Sequence, residues 1–250
     1  MTPFEIVAIT VAGIAAGAIN TIVGSGSLIT FPTLLAFGFS PLVANVSNTL
    51  GLVAGSISGA VGYRRELVGQ RPRAIRLGSA AGLGGLTGGV LLLALPASTF
   101  GTIVPFLILF SCGLMAVQPR LSRAMGRRRG EGGHHPAILL TAVYVTGIYG
   151  GYFGAAQGVI LLALLGIFLT DDLQRLNGLK NILAAVVNGV AAALFILLAP
   201  IDYRVALLLA IGSIAGGQLG AYIGRRLSPT VLRVAVISVG VIVAAKLLVG

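Results

Sequence analysis

Six runs of about 20 predominantly apolar residues constrain this chain more than anything else in it: roughly 42–62, 77–95, 100–118, 181–199, 204–223 and 231–249. A helix needs about that many to cross the hydrocarbon core of a bilayer. Water could not hide six such runs, because the charges to cover them are missing. Charged residues make up 9% of the chain, against about 25% in a soluble domain. The sequence therefore describes an all-α polytopic membrane protein.

Two further apolar stretches, 4–39 and 137–169, are too long for one crossing and awkward as two. Each is interrupted near its middle by small and polar residues, Asn20-Thr-Ile-Val-Gly24-Ser-Gly-Ser27 in the first and Gly150-Gly-Tyr-Phe-Gly154-Ala-Ala-Gln157-Gly158 in the second. The pieces on either side, about 13 to 17 residues each, are short for full spans. A broken or re-entrant hairpin fits better, and irregular backbone at that depth must be covered by protein or line a wet cavity. The two stretches also open a repeat. After each break come a half-helix, a short polar turn (Ser40-Pro41, Asp171-Asp172) and a long helix whose first turns are polar. Ala44-Asn-Val-Ser47-Asn48-Thr49 aligns with Asn177-Gly-Leu-Lys180-Asn181-Ile182. The expected architecture is two transmembrane repeats, 1–118 and 137–250, joined by a basic linker, 119–136. Each repeat is a broken helix followed by three transmembrane helices.

The net charge of +11, from 17 Lys and Arg against 6 Asp and Glu, now acquires a meaning. In a soluble protein it would suggest nucleic-acid binding. Here, if each broken element returns to its own side, the segments 63–76, 119–136, 170–180 and 224–233 share one face of the membrane. They hold 15 of the 17 bases, leaving Arg204 and Lys246 opposite. If each broken element crosses once, the split falls to 12 against 5. The positive-inside rule favours the first arrangement. It makes the repeats inverted in topology, with basic loops cytoplasmic and both termini outside. The bases then serve orientation and anionic lipid headgroups, and nucleic acid is not expected as a partner.

Small-xxx-small rows such as Gly51/Gly55/Gly59, Gly85/Gly89 and Gly212/Gly216/Gly220/Gly224 suit close helix packing, and also association of copies into a homo-oligomer. At the breaks, Gly24-Ser25-Gly26-Ser27 and Gly154 to Gly158 precede half-helices whose starts would present free N–H groups and the positive end of the helix dipole. Two such starts facing each other would hold an anion without a fixed charge. The bland alternative makes the serines N-caps and the glycines turn formers. Asn20, Asn48, Thr49, Gln157 and Asn181 face the bundle interior as solute ligands or as helix-to-helix bonds. Lys180 either offers a charge to an anion from inside or snorkels to the interface. Tyr63, Tyr203 and Tyr222 suit interfacial anchoring, and Cys112 suits packing. No carboxylate falls deep in a span, so a carboxylate proton relay or cation site is disfavoured. With one cysteine and two adjacent histidines, His134 and His135, neither a metal site nor a cofactor is expected, and no hydrolytic machinery is evident. The N-terminal Met1-Thr-Pro-Phe-Glu5 lacks the basic start of a secretory signal.

Gly13-x3-Gly17-x6-Gly24-Ser-Gly-Ser27-Leu-Ile-x2-Pro32, then Gly38-x2-Pro41-x2-Ala44-Asn-x-Ser47-Asn48-Thr49, resembles the first repeat of the TauE/SafE family of sulfite and organosulfonate exporters and related permeases. Tyr63-Arg64-Arg65 and Gly147-x3-Gly151-x2-Gly154-x3-Gly158 add to the likeness. The chain departs from the family pattern at Ser25-Gly26-Ser27, at Ala155-Ala156-Gln157 and at Leu179-Lys180-Asn181. The resemblance implies an inner-membrane permease, not an enzyme, for a small sulfur-containing anion such as sulfite, a sulfonate or thiosulfate. The composition itself says nothing of sulfur. A non-transporting membrane scaffold, or a carrier of a cation or another metabolite on the same fold, stays open at this stage.

Overall fold

The computed structural model describes residues 1–127, 136–223 and 229–249; Arg128, Arg129, Arg225 and Arg226, part of the charge count above, lie outside the described residues. Among the described residues there are ten α-helices and no strand: α1 Pro3–Ile22, α2 Ser27–Ala36, α3 Pro41–Gly62, α4 Arg71–Ala94, α5 Ala97–Arg127, α6 Pro136–Tyr152, α7 Gln157–Phe168, α8 Leu173–Leu198, α9 Tyr203–Ile223 and α10 Pro229–Val249. The chain writes its own helix starts. Thr2 and Glu5 form a reciprocal capping box ahead of α1, with Pro3 in the first turn. Asp172 accepts from the Gln174 and Arg175 amides to start α8, and Asp202 does the same for Arg204 and Val205 at α9.

Among the described residues, five helices are long and apolar enough to cross a membrane by length and composition: α1, α4, α5 as far as Arg120, α8 and α9. The integral membrane fold read from the sequence is therefore present. The pieces of about 13 to 17 residues expected beside each break are instead unequal. α1 has 20 residues against 10 in α2, and α6 has 17 against 12 in α7. At 1.5 Å per residue, α1 alone is about 30 Å long, a full span rather than a half. Asn20 does not end it, because its side chain donates to Ser56 of α3 and its carbonyl accepts from Lys180 of α8. Gly150 and Gly151 do not end α6, because α4 packs tightly there. α5 likewise runs past residue 118 into the basic stretch, reaching Arg127.

Glycine contacts fix the helix directions. Gly13 and Gly17 of α1 lie against Leu209 and Ser213 of α9, while Gly51, Gly55 and Gly62 of α3 meet Leu209, Ser213 and Ala221. α1 and α3 thus both run parallel to α9, so α2 must travel back between them. Phe4 and Phe37 close that hairpin with an edge-on ring contact, centroids 6.2 Å apart. In the second half, α6 and α8 both run parallel to α4 of the first (Gly84 on Tyr144 and Gly88 on Ile148; Gly82 on Val190 and Gly89 on Leu194), so α7 doubles back between them. α3 and α8 are antiparallel, with Gly59 beside Asn181 and Gly178 beside Tyr63 and Leu67. These directions are those an inverted pair of repeats would have. The first helix of each half packs on the fourth helix of the other, α1 on α9 and α6 on α4, so the halves interlock.

An ion-pair cluster ties α4 to α8 at one end of the bundle. Asp171 pairs with Arg73 of α4 and Arg175 of α8, and Arg175 also donates to the Val68 carbonyl at 3.2 Å. Gln70 donates to the Arg175 carbonyl. Asp171, in the short polar turn before α8, thereby ties that turn to the turn before α4. Tyr203 and Tyr222 are exposed as interfacial anchors would be, but Tyr63 is buried, because α8 approaches it at Gly178.

Candidate functional site

Chain geometry brings the two breaks into direct contact. Gly24 has φ +89° and Gly154 φ +76°, turns that only glycine enters without strain. The Gly158 N–H donates to the Gly24 carbonyl at 3.0 Å, and the two Cα atoms are so close that neither residue has room for a side chain. Phe31 of α2 meets Phe153 of the second break edge-on at 5.3 Å, sealing one flank. The meeting expected from the sequence is present, but its two sides differ chemically.

At the second break the first amides of α7 are all occupied. Gln157 donates to Gly154, Gly158 to Gly24, and Val159 to Ala156. Ala156, the N-cap, sits at φ +59°. Both Ser111 and Tyr149 lie against the Ala155 carbonyl and donate to it, and they also touch each other at 2.6 Å. At the first break, Leu28 and Ile29 donate to Ser25 and Gly26, while the amides of Ser25, Gly26 and Ser27 have no acceptor among the described residues. The serines do not cap α2. Ser25 turns its hydroxyl to the Met115 sulfur at 3.5 Å, and Ser27 accepts from Asn48 at 3.1 Å.

The polar residues of the long helices serve these breaks. Asn48 of α3 also accepts from Thr30 of α2. Asn45 donates to the Tyr152 carbonyl at 3.0 Å, capping the C-terminal end of α6. On α8, Lys180 is fully buried and donates to the Asn20 and Thr21 carbonyls at 2.9 Å each, capping the end of α1. Asn181 adds a longer bond to Thr21. Each half therefore caps the broken helix of the other, once with a neutral amide and once with an ammonium. Lys180 does not snorkel: α1 ends directly on it, which gives the amine acceptors inside the bundle. Asn20 donates to Ser56 at 3.2 Å. Thr49 bonds back to the Asn45 carbonyl within its own helix.

Several buried polar atoms here have no partner: both ends of Gln157, Thr21 Oγ1, and the side-chain carbonyls of Asn45, Asn177 and Asn181. Gln157 is only 3% exposed and lies between Gly150 and Val187. Such atoms are costly to leave bare in a low dielectric, and they mark where a polar solute would be welcomed. Among the described residues no cluster of acids, histidines or cysteines could hold a metal.

The structure thus places Asn20, Gly24, Ser25, Gly26, Ser27, Asn48, Gly154, Gln157, Gly158, Lys180 and Asn181 around the paired breaks. Thr21, Thr30, Ser111 and Tyr149 belong there as well, and the sequence reading passed over them. Thr21 was visible beside Asn20 in the first interruption. Ser111 and Tyr149 carried no signal, because a single hydroxyl in an apolar helix reads as ordinary.

Residues 9–247 match the family described as sulfite exporter TauE/SafE. Among curated relatives, the probable membrane transporter protein YfcA of Escherichia coli K12 is 27% identical over 234 residues, covering 93% of this chain and 86% of that protein. A probable membrane transporter protein of Haemophilus influenzae is 28% identical over 244 residues, covering 94% and 91%. No solved structure matches the chain.

Proposed function

Because the chain belongs to the sulfite exporter TauE/SafE family, and is accordingly a membrane transporter rather than an enzyme, we propose that it carries a small anion, sulfur-containing as the family description suggests, across the inner membrane. The observation that carries this reading is the junction of the two breaks. There the backbones of both halves touch, through the Gly158 N–H and the Gly24 carbonyl, amid buried polar groups without partners. A solute held there touches both halves at once, so rocking one half against the other would expose it to alternate sides.

The free amides of Ser25 to Ser27 and the Lys180 ammonium supply donors suited to oxoanion oxygens. Among the described residues, carboxylates that would favour a cation instead are absent from the interior: the acids there, residues 5, 66, 171, 172 and 202, lie at helix ends or in connections. The gathering of Arg73, Arg175 and their neighbours at one end supports a cytoplasmic side there, with both termini outside.

Radiolabelled methanesulfonate flux into proteoliposomes tests the reading. Wild-type protein is expected to carry the anion. Gln157→Met, which keeps the side chain's volume but removes its unpartnered amide, is expected to remain folded and carry less. Undiminished flux in that variant removes Gln157 from the site, and no flux in the wild type removes the anion.

A further inference from the structure

Lys180 holds the one fully buried formal charge among the described residues of the bundle interior, and no carboxylate faces it. Its element, α8, has acids only at Asp171 and Asp172 before its first turn; Asp171 is committed to Arg73 and Arg175, and Asp172 to capping. The helices packed on α8, namely α1, α3, α4, α6 and α7, have an acid only at Glu5, in the first turn of α1. What meets the ammonium is the C-terminal end of α1, through the Asn20 and Thr21 carbonyls. A helix end carries about half a negative charge, so the compensation is partial.

The surroundings are unfinished in the same sense. Thr21 Oγ1 and Asn181 Oδ1, both in residues about 1% exposed, have no partner and lie in one cluster with the ammonium. Gly59 closes that cluster from α3: a methyl there would sit 2.6 Å from Thr21 Oγ1 and 3.4 Å from Asn181 Nδ2. An ammonium has three N–H donors, and two are engaged.

We propose that Lys180 selects the charge of the transported solute and that its bonds to α1 are the latch the solute releases. This rests on the anion reading above and sharpens it. An oxoanion arriving beside Lys180 gives the ammonium a full counter-charge, which outcompetes two helix-end carbonyls in a low dielectric. The end of α1 then loses its cap, and α1, from the first half, is freed from α8, from the second. Binding and the parting of the halves become one event. A neutral solute of the same shape cannot drive the exchange, because it offers Lys180 no charge.

The test compares methanesulfonate with methanesulfonamide, its uncharged near-isostere, on wild type, Lys180→Gln and Lys180→Arg. The first readout is stabilisation of the detergent-solubilised protein against heat. Wild type is expected to prefer the sulfonate by about tenfold or more in apparent affinity, Lys180→Arg to keep the preference, and Lys180→Gln to lose it. The second readout places a cysteine at Thr21 in a Cys112→Ala background and follows its alkylation. Methanesulfonate is expected to speed labelling when Lys180 is present and to leave it unchanged in Lys180→Gln. If Lys180→Gln keeps the anion preference, or if labelling does not respond in the lysine form, the latch is wrong while anion transport stands. If wild type responds to no anion in either assay, both fall together. Should Lys180→Gln fail to fold, Lys180→Arg with Thr21→Cys still decides the matter, since a guanidinium keeps the charge and must preserve both responses.

Discussion

The two breaks occupy corresponding places in the two halves and touch one another, yet they are finished in opposite ways. The second is closed upon itself. Its first helical amides all have acceptors, and its buried Ala155 carbonyl is held by both Ser111 and Tyr149. The first is left open at the start of α2, where three successive amides lack acceptors, and it is held at the end of α1 by a lysine from the other half. One break acts as a fixed wall and the other keeps its donors available. Duplicated geometry does not oblige duplicated chemistry: close backbone packing needs the glycines on both sides, whereas donors for a solute are needed on only one. This comparison can be broken or sharpened by substitutions on each side.

The largest effect is expected at the contact itself. In Gly24→Ala the new methyl would lie 2.5 Å from the Gly158 carbonyl carbon and 2.9 Å from the Val159 nitrogen, on a backbone with φ +89°. Left-handed strain of about 1–2 kcal/mol and overpacking of about 1–3 kcal/mol give a loss of roughly 2–5 kcal/mol. Gly158→Ala meets the same wall from the other side but without a positive φ, so it should cost somewhat less. Apparent melting temperature in detergent checks both. If either variant melts like the wild type, the breaks do not rest on each other.

On the open side, Asn48→Leu removes the amide that joins Ser27 to Thr30. A buried hydroxyl, Thr30, and a half-buried one, Ser27, then lose their partner, which costs about 1–3 kcal/mol in total once the modest strength of hydrogen bonds between membrane helices is allowed for. Transport should fall further than stability does, since α2 loses its tie to α3 beside the free amides. A variant with lowered stability but undiminished flux would make Asn48 a packing residue only.

Much of this arrangement was legible in the residues. The apolar runs located six helices to within a turn at most ends, because twenty apolar residues in a row have one use. The interruptions at 20–27 and 150–158 marked the breaks, because glycine with amides has no other reason to interrupt a span. Where α1 and α6 end was not legible. Asn20 looks like a terminator until Ser56 and Lys180 arrive from helices 36 and 160 residues away to satisfy that turn. Which of the two fates open to Lys180 it takes was hidden for the same reason. A lysine near a helix start snorkels by default, and only the position of α1 supplies acceptors inside. The asymmetry of the breaks was likewise hidden, since it depends on Ser111 and Tyr149, which no local pattern distinguishes.

Gly38→Ala separates backbone strain from packing. Gly38 has φ +84°, close to that of Gly24, but a methyl there would meet nothing within 4 Å. The cost should be the dihedral alone, about 1–2 kcal/mol. The gap between this variant and Gly24→Ala in melting temperature measures what the contact between the breaks contributes. Equal losses would mean that the contact contributes nothing.

The smallest expected effect is Tyr149→Phe on the closed side. The ring keeps its edge-on contact with Phe110, and only the hydroxyl goes. Ala155 keeps the 3.0 Å bond from Ser111, so its carbonyl is not left bare, and the loss should be about 0.6 kcal/mol, typical of one hydrogen bond between membrane helices. Ser111→Ala leaves Tyr149 in place and should behave alike. Together the two changes strip the carbonyl of both donors in a buried site, so the double variant should lose more than the sum of the singles. Additive losses would mean that the two hydroxyls do not back each other up. A Tyr149→Phe loss as large as that of Asn48→Leu would mean that the second break is held no more redundantly than the first, and the contrast between a fixed wall and an open one would have to be abandoned.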